Sequence, residues 1–248
     1  MQRKLILLIL AMAVILTACG PKAAVEGNDH RQEITEETEK NREDEETDLP
    51  LEAEFPEASQ AEIPEQGENA SQFAKGIVSE SGWESQWLNM RFTAPNGTRM
   101  ASEEELDELM GISEELLLED LSDVQIKYAE LTSVREMMCY DERTKSNVIV
   151  SVDRLPLKMS EEIYAEQLEQ SLLAVSAMTY EKAGEDEEVE IAGVSYLRSC
   201  YQVEAMGQHL RTDYYIRMIE DRVVSVVLTY GEDGEELASS MVSGFEAY

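Results

Sequence analysis

The side chains here that could do chemistry near neutral pH are histidine, cysteine and carboxylate, and the first two are scarce. The 248 residues include two histidines and three cysteines. His30 lies in a strongly acidic stretch, and His209 stands close to Gly207 in an expected hairpin, a place for a surface residue. Imidazole is the readiest general base. A Ser-His-acid triad would therefore have to use His209, yet no G-x-S-x-G elbow occurs. Zinc prefers clustered histidine and cysteine, and Cys139, Cys200 and His209 cannot complete a set without carboxylates.

Carboxylates abound. Glu185-Asp186-Glu187-Glu188 and Glu232-Asp233-Gly234-Glu235-Glu236 offer the oxygen ligands that calcium takes. Neither has the alternating spacing and distal Glu of an EF-hand loop, so a solvated charge run is the simpler reading. Glycoside hydrolysis needs two carboxylates roughly 5–10 Å apart across one bond, which linear spacing does not fix. Trp83, Trp87, Tyr196, Tyr201, Tyr214 and Tyr215 remain as recognition candidates. Strand alternation puts Tyr214 and Tyr215 on opposite faces, so one of them could be exposed, although core packing explains most such residues. No catalytic residue, cofactor site or metal ligand is assigned, and the protein is expected not to be an enzyme.

The N-terminus carries the clearest motif. Met1-Gln2-Arg3-Lys4 is cationic, and Leu5 to Leu16 is uncharged. A dozen apolar residues suit a signal-peptide core of about 7–15 and fall short of the roughly 20 a spanning helix needs. Leu16-Thr17-Ala18-Cys19 then resembles the lipobox of bacterial lipoprotein signals. That resemblance implies cleavage before Cys19 and diacylation of its thiol by palmitate-type chains. An ordinary secretory signal with a chance cysteine is the alternative. Two acyl chains anchor stably where one binds only marginally.

Net charge is −33; without residues 1–18 there remain 18 basic and 53 acidic side chains, a net of −35. Such a chain lacks the basic footprint nucleic acid demands, and its membrane contact would come through the diacylglyceryl anchor. Cys139 and Cys200, about sixty residues apart, would be free to pair in an oxidising compartment. Whether they do depends on Cα atoms lying within roughly 7 Å.

Between Glu26 and Glu68 there are 17 acidic residues against Arg31, Lys40 and Arg42, with Pro50, Pro56 and Pro64 and few spaced apolar residues. Low hydrophobicity with high charge cannot offset chain entropy, so residues 19–74 are expected to be a disordered acidic tether. Its span would be roughly 180–200 Å fully extended and about 40 Å as a flexible coil.

Residues 75–248 are long enough for one domain. Gly76-Ile77-Val78 and Trp87 to Thr93 read as short strands, ended by the turn signal Pro95-Asn96-Gly97. Ser102 and Glu105 form a capping box ahead of Leu106, Leu109 and Met110, and Ser113 to Leu121 reads as a second helix. Strands are expected at 131–141, 147–155, near 178–180, and at 189–192, 194–205, 208–219 and 223–230. On the second of these, Val148, Val150 and Val152 alternate against Ile149, Ser151 and Asp153. A helix over 160–177 should bury Ile163, Tyr164, Leu168, Leu172 and Val175, and one over 235–245 should use Leu237, Met241, Val242 and Phe245. Joints of two or three residues allow only antiparallel neighbours. The class is α+β, one antiparallel β-sheet flanked by helices, with the three last long strands in a meander.

The segment Trp87 to Met100, W-L-N-M-R-F-T-A-P-N-G-T-R-M, resembles the opening strand and turn of PsbP-like α/β/α sandwich domains. The acidic helix after it, the meander and the final helix fit the same plan. The chain is also similar to uncharacterised lipid-anchored surface proteins of Gram-positive type. The resemblance implies the fold and a bias toward binding over catalysis; no PsbP functional residue is matched. The expectation is a lipoprotein on the extracytoplasmic face of the membrane that binds another envelope protein and catalyses nothing. The alternatives are a secreted hydrolase or folding factor with a carboxylate-based site, and a single-lobe solute- or calcium-binding lipoprotein.

Overall fold

The computed structural model describes residues 73–108, 132–176, 178–205 and 207–248. The signal segment, Cys19, His30, the tether up to residue 72, the helix expected over 113–121, and Leu109 and Met110 lie outside the described residues. The last two tether residues are described, and Phe73 belongs with the domain, its ring 5.0 Å from that of Trp87 and 4.3 Å from the Arg222 guanidinium. Of the first helix, residues 103–108 are described, and its capping box is present. The Ser102 amide donates to Glu105 Oε2 at 2.9 Å, and the Glu105 amide donates to Ser102 Oγ at 3.2 Å.

Eight strands form the main sheet: β4 (Arg99–Met100), β5 (Ser133–Tyr140), β6 (Asn147–Arg154), β7 (Thr179–Lys182), β8 (Glu187–Ile191), β9 (Val194–Ala205), β10 (Gln208–Ile219) and β11 (Arg222–Tyr230). Their order is β4-β5-β6-β11-β10-β9-β7, and β8 pairs β9 beside β7. Every pairing is antiparallel. The β9-β10-β11 meander is the one the short joints require. Ala192 and Gly193, with φ of 54° and 76°, give the β8–β9 hairpin the doubly left-handed turn that matches strand twist.

The expected single sheet is joined by a second. Strands β1 (Ile77–Ser79), β2 (Gly82–Ser85), β3 (Met90–Thr93) and β12 (Phe245–Ala247) form a four-stranded sheet in the order β1-β2-β3-β12. Two expected elements change accordingly. The strand expected from Trp87 starts only at Met90, because Trp87–Asn89 turn back on Gln86, with Asn89 at φ 52° and its amide 3.2 Å from the Gln86 carbonyl. Phe245 leaves the last helix for β12, where it faces Phe92 with ring centroids 4.8 Å apart.

Two longer helices complete the fold: α1 (Glu161–Leu173), capped by Ser160, and α2 (Glu235–Ser243). Helix α1 covers one face of the main sheet, where Tyr164, Ala165, Leu168 and Leu172 join a core with Tyr201, Val203, Tyr214, Ile216 and Val227. The expected burial of Ile163 does not occur. It is 48 % exposed, since a helix burying 164, 165, 168 and 172 turns 163 to its flank. Val175 is buried, beyond the helix end. On the opposite face, Val148, Val150, Val152, Val226 and Leu228 pack with Trp83, Phe92 and Phe245 of the small sheet and Met241 of α2. Strand β6 is covered on both faces, so Ile149, Ser151 and Asp153 are as buried as the valines.

A β-bulge joins the two sheets. Register slips between Arg135 and Met137, and the extra residue lets Glu136 point to the small-sheet side, as bulges commonly re-aim a side chain. Fully buried, Glu136 Oε2 accepts from the Gly76 amide at 2.6 Å and from Trp83 Nε1 at 3.2 Å. Burial raises its carboxyl above the usual range, against the pull of those two donors.

Candidate binding groove

The hairpin β9–β10 is longer than its cover on the small-sheet side. Side chains alternate faces along each strand, so on that side the register makes two largely exposed rows at the outer end of β7, β9 and β10. One row is Thr179, Glu204 and His209; the next is Glu181 and Gln202, then the half-buried Arg211 and the buried Tyr230. The chain leaving β11, through Gly231 and Glu232 to Glu235 at the start of α2, walls them in. The result is an open groove of about 590 Å³.

One row further inward on the same sheet face lies a buried polar network. Asp213, 1 % exposed, accepts from Arg211 Nε at 3.0 Å and from Arg198 Nη2 at 2.8 Å, and Tyr230 Oη lies 3.4 Å from the same carboxylate. Arg198 also donates to Glu187 at 2.8 Å, and Arg211 Nη2 reaches Cys200 Sγ at 3.6 Å. The bond to Cys200, together with Asp213, holds the Arg211 guanidinium firmly protonated. For Arg198 burial opposes the charge and Asp213 outweighs it. Burial, then the Asp213 charge, pushes Tyr230 up to about 12 and also raises the Cys200 thiol. A thiol kept from ionising is a poor nucleophile, so this network fixes the groove floor and offers no activated group.

The residues singled out by sequence scatter. His209 is exposed in the outer row of the groove. Cys139 sits in β5, where its thiol approaches Thr98 Oγ1 at 3.2 Å and burial pushes it up to about 11. The ladder runs Cys139–Val148–Leu228–Asp213–Cys200, one strand per step. Four strand spacings of about 4.8 Å put the two cysteines roughly 19 Å apart, far beyond disulfide reach; both are free and buried.

In the first acidic run, Asp186 is held by Lys182 at 3.0 Å and Ser199 at 2.7 Å, and Glu187 by Arg198. In the second, Glu232 and Glu235 line the groove. Among the described residues, no three His, Cys, Asp or Glu side chains stand together as a metal site would require. Tyr196, Tyr201, Tyr214 and Tyr215 are all core residues, so neither face exposes a tyrosine of the 214–215 pair. Sequence reading missed Glu181, Gln202, Glu204 and Arg211. Their signal was present as polar residues at period two on both arms of one hairpin, but nothing linear says which sheet face stays uncovered.

No protein-family model matches the chain, and no curated protein matches it by sequence. Among solved structures, it is similar to cyanobacterial PsbP from Synechocystis, with TM-score 0.40 and 13 % identity over 75 % of this chain and 100 % of that one. It is similar to LpqN of Mycobacterium tuberculosis, a protein involved in cell envelope biogenesis, with TM-score 0.38 and 8 % identity over 63 % of this chain and 82 % of that one. The Ran-binding protein Mog1p of Saccharomyces cerevisiae has TM-score 0.38 and 11 % identity over 69 % of this chain and 96 % of that one. Likenesses at this level speak to neither activity nor partner. Among the described residues no helix is long and apolar enough to cross a membrane.

Proposed function

We propose that this protein is a lipid-anchored, extracytoplasmic binding module that engages another envelope component and catalyses no reaction. The observation that carries the binding half is the groove over β7, β9 and β10, an uncovered sheet face with a floor locked by Asp213. A groove of this size falls within the roughly 300–1,000 Å³ of ligand clefts. Its four carboxylates, Glu181, Glu204, Glu232 and Glu235, are exposed rim residues rather than a buried pair flanking one bond, which favours recognition over hydrolysis. The envelope half rests on the order of cationic segment, apolar core and Leu16-Thr17-Ala18-Cys19.

A photo-crosslinking residue at Gln202, expressed in intact cells, should capture a defined envelope component, and a probe at Glu80 should not. Cys19→Ala should abolish fatty-acid labelling and release the protein from membranes. Retention and labelling of that variant would overturn the anchor. Capture of nothing at Gln202 would overturn the binding reading.

A further inference from the structure

Some carboxylates of this chain are neutralised by ion pairs. Lys182 bridges Glu169 and Asp186, Arg198 bridges Glu187 and Asp213, and Arg99 lies between Glu105 and Glu142. Among the described residues, none of Glu181, Glu204, Glu232 and Glu235 has an ion-pair partner. The guanidinium on the floor, Arg211, is already engaged by Asp213 and Cys200. Unneutralised like charges around a concavity with protein walls focus a negative potential and draw in cations.

We propose that this groove binds an extended segment of a partner protein that presents lysine or arginine side chains to the four glutamates. The proposal rests on the binding reading above and gives it a partner chemistry. Three features favour an extended polypeptide over a compact cation. The two rows are two residues apart along β9 and β10, about 6.8 Å, which is also the distance between alternate side chains of an extended chain. A segment lying along these strands would bring every second side chain over successive rows. Thr179 and Gln202, exposed between the glutamates, offer a hydroxyl and an amide to its main chain. The carboxylates surround the groove without converging on one point, as a compact metal ion would need.

The test uses the full-length protein and a capped Lys-Thr-Lys-Thr-Lys peptide, followed by heteronuclear NMR. Two variants lose the same net charge: Glu181→Gln, Glu204→Gln, Glu232→Gln and Glu235→Gln together, and, as control, Glu80→Gln, Glu84→Gln, Glu104→Gln and Glu108→Gln together. An exposed ion pair is worth roughly 1.5- to 5-fold in binding. The groove variant should bind about tenfold more weakly, and the control by less than about twofold. Shifts in the wild type should concentrate at residues 179–181, 202–204, 209–211 and 230–235. Equal weakening in both variants, or shifts led by residues 26–68, would mean bulk charge alone and overturn the proposal. Spermidine or calcium reproducing the groove shifts at comparable concentration would overturn the polypeptide assignment. A positive titration with no partner captured in cells removes the proposed function but not the groove chemistry; capture with no groove titration does the reverse.

Discussion

Glu136 accepts the amide of Gly76 at 2.6 Å across the layer between the two sheets, from a bulge in β5 to the residue just before β1. Gly76 has to be glycine for this contact. A Cβ there would strike Trp83 Nε1 and come within 2.7 Å of the Glu84 carbonyl oxygen and 2.8 Å of Glu136 Oε2. The bond therefore ties the start of the described domain to its central layer through one carboxylate that burial disfavours.

Glu136→Gln should keep both donors satisfied through its amide oxygen while removing the buried charge. The folded carboxyl has its pKa raised, so the native state holds a proton that the unfolded state has released. Stability from this group is therefore present at acid pH and lost as pH rises from 4.5 through the raised value. Urea midpoints measured from pH 4 to pH 8 should fall less steeply for Glu136→Gln than for wild type. Glu136→Ala should instead cost about 1–3 kcal/mol for each donor left unpaired. Identical pH slopes for wild type and the Gln variant would show that the charge is not felt.

Much of this fold was legible in the sequence because local rules and tertiary demands agreed. The limits of β9 and β10 follow from two-residue joints at Gly193 and Gly207, and the Ser102–Glu105 capping box is a purely local device. What was hidden depends on partners far along the chain. Strand β2 exists because β1 and β3 flank it, and β12 because Phe245 meets Phe92, more than 150 residues away. The bulge at Glu136 leaves no trace in the run Ser133–Tyr140, which reads as an ordinary strand. The groove was hidden for the same reason. Glu181 and Arg211 become neighbours across β9 only once register is set.

Among the described residues Asp213 is the one carboxylate that ion-pairs with two guanidiniums, so its loss should cost most. Asp213→Ala removes two charge-assisted hydrogen bonds, but Arg198 keeps Glu187 and the Arg211 side chain is 41 % exposed, so the cost should be about 2–3 kcal/mol. Glu190→Ala, on the exposed side of β8, should stay within about 0.5 kcal/mol. Tyr230→Phe, which removes a 3.4 Å contact, should cost on the order of 1 kcal/mol. Denaturant midpoints ranking these three in another order would contradict a network centred on Asp213.

Cys139 and Cys200 should remain thiols under oxidising conditions. The strand ladder holds them apart, and both are buried, Cys139 completely and Cys200 to 7 % exposure. With the Cys139 thiol near 11 and Cys200 also raised, little thiolate exists at pH 8. Iodoacetamide should modify neither in the native protein and both in urea, as read by intact mass. Rapid native modification of either, or a bridged peptide in a non-reducing digest, would contradict a register that keeps them four strands apart.

The pairing of α1 with the sheet can be checked by three alanine variants of one helix. Leu172 is fully buried against the core shared with Tyr214 and Val227, and truncating such a side chain removes its transfer energy and leaves a cavity. Leu172→Ala should therefore cost about 2–5 kcal/mol. Gln170, two residues earlier, is exposed and should tolerate alanine within about 0.5 kcal/mol. Ile163 is the informative third case, because apolar periodicity places it in the core and the structure leaves it 48 % exposed. Its replacement by alanine should cost under about 1 kcal/mol, since only part of its apolar area leaves water on folding. A cost for Ile163→Ala matching that of Leu172→Ala would mean that the helix sits rotated by about a quarter turn, which would also carry Tyr164 and Leu168 away from the sheet.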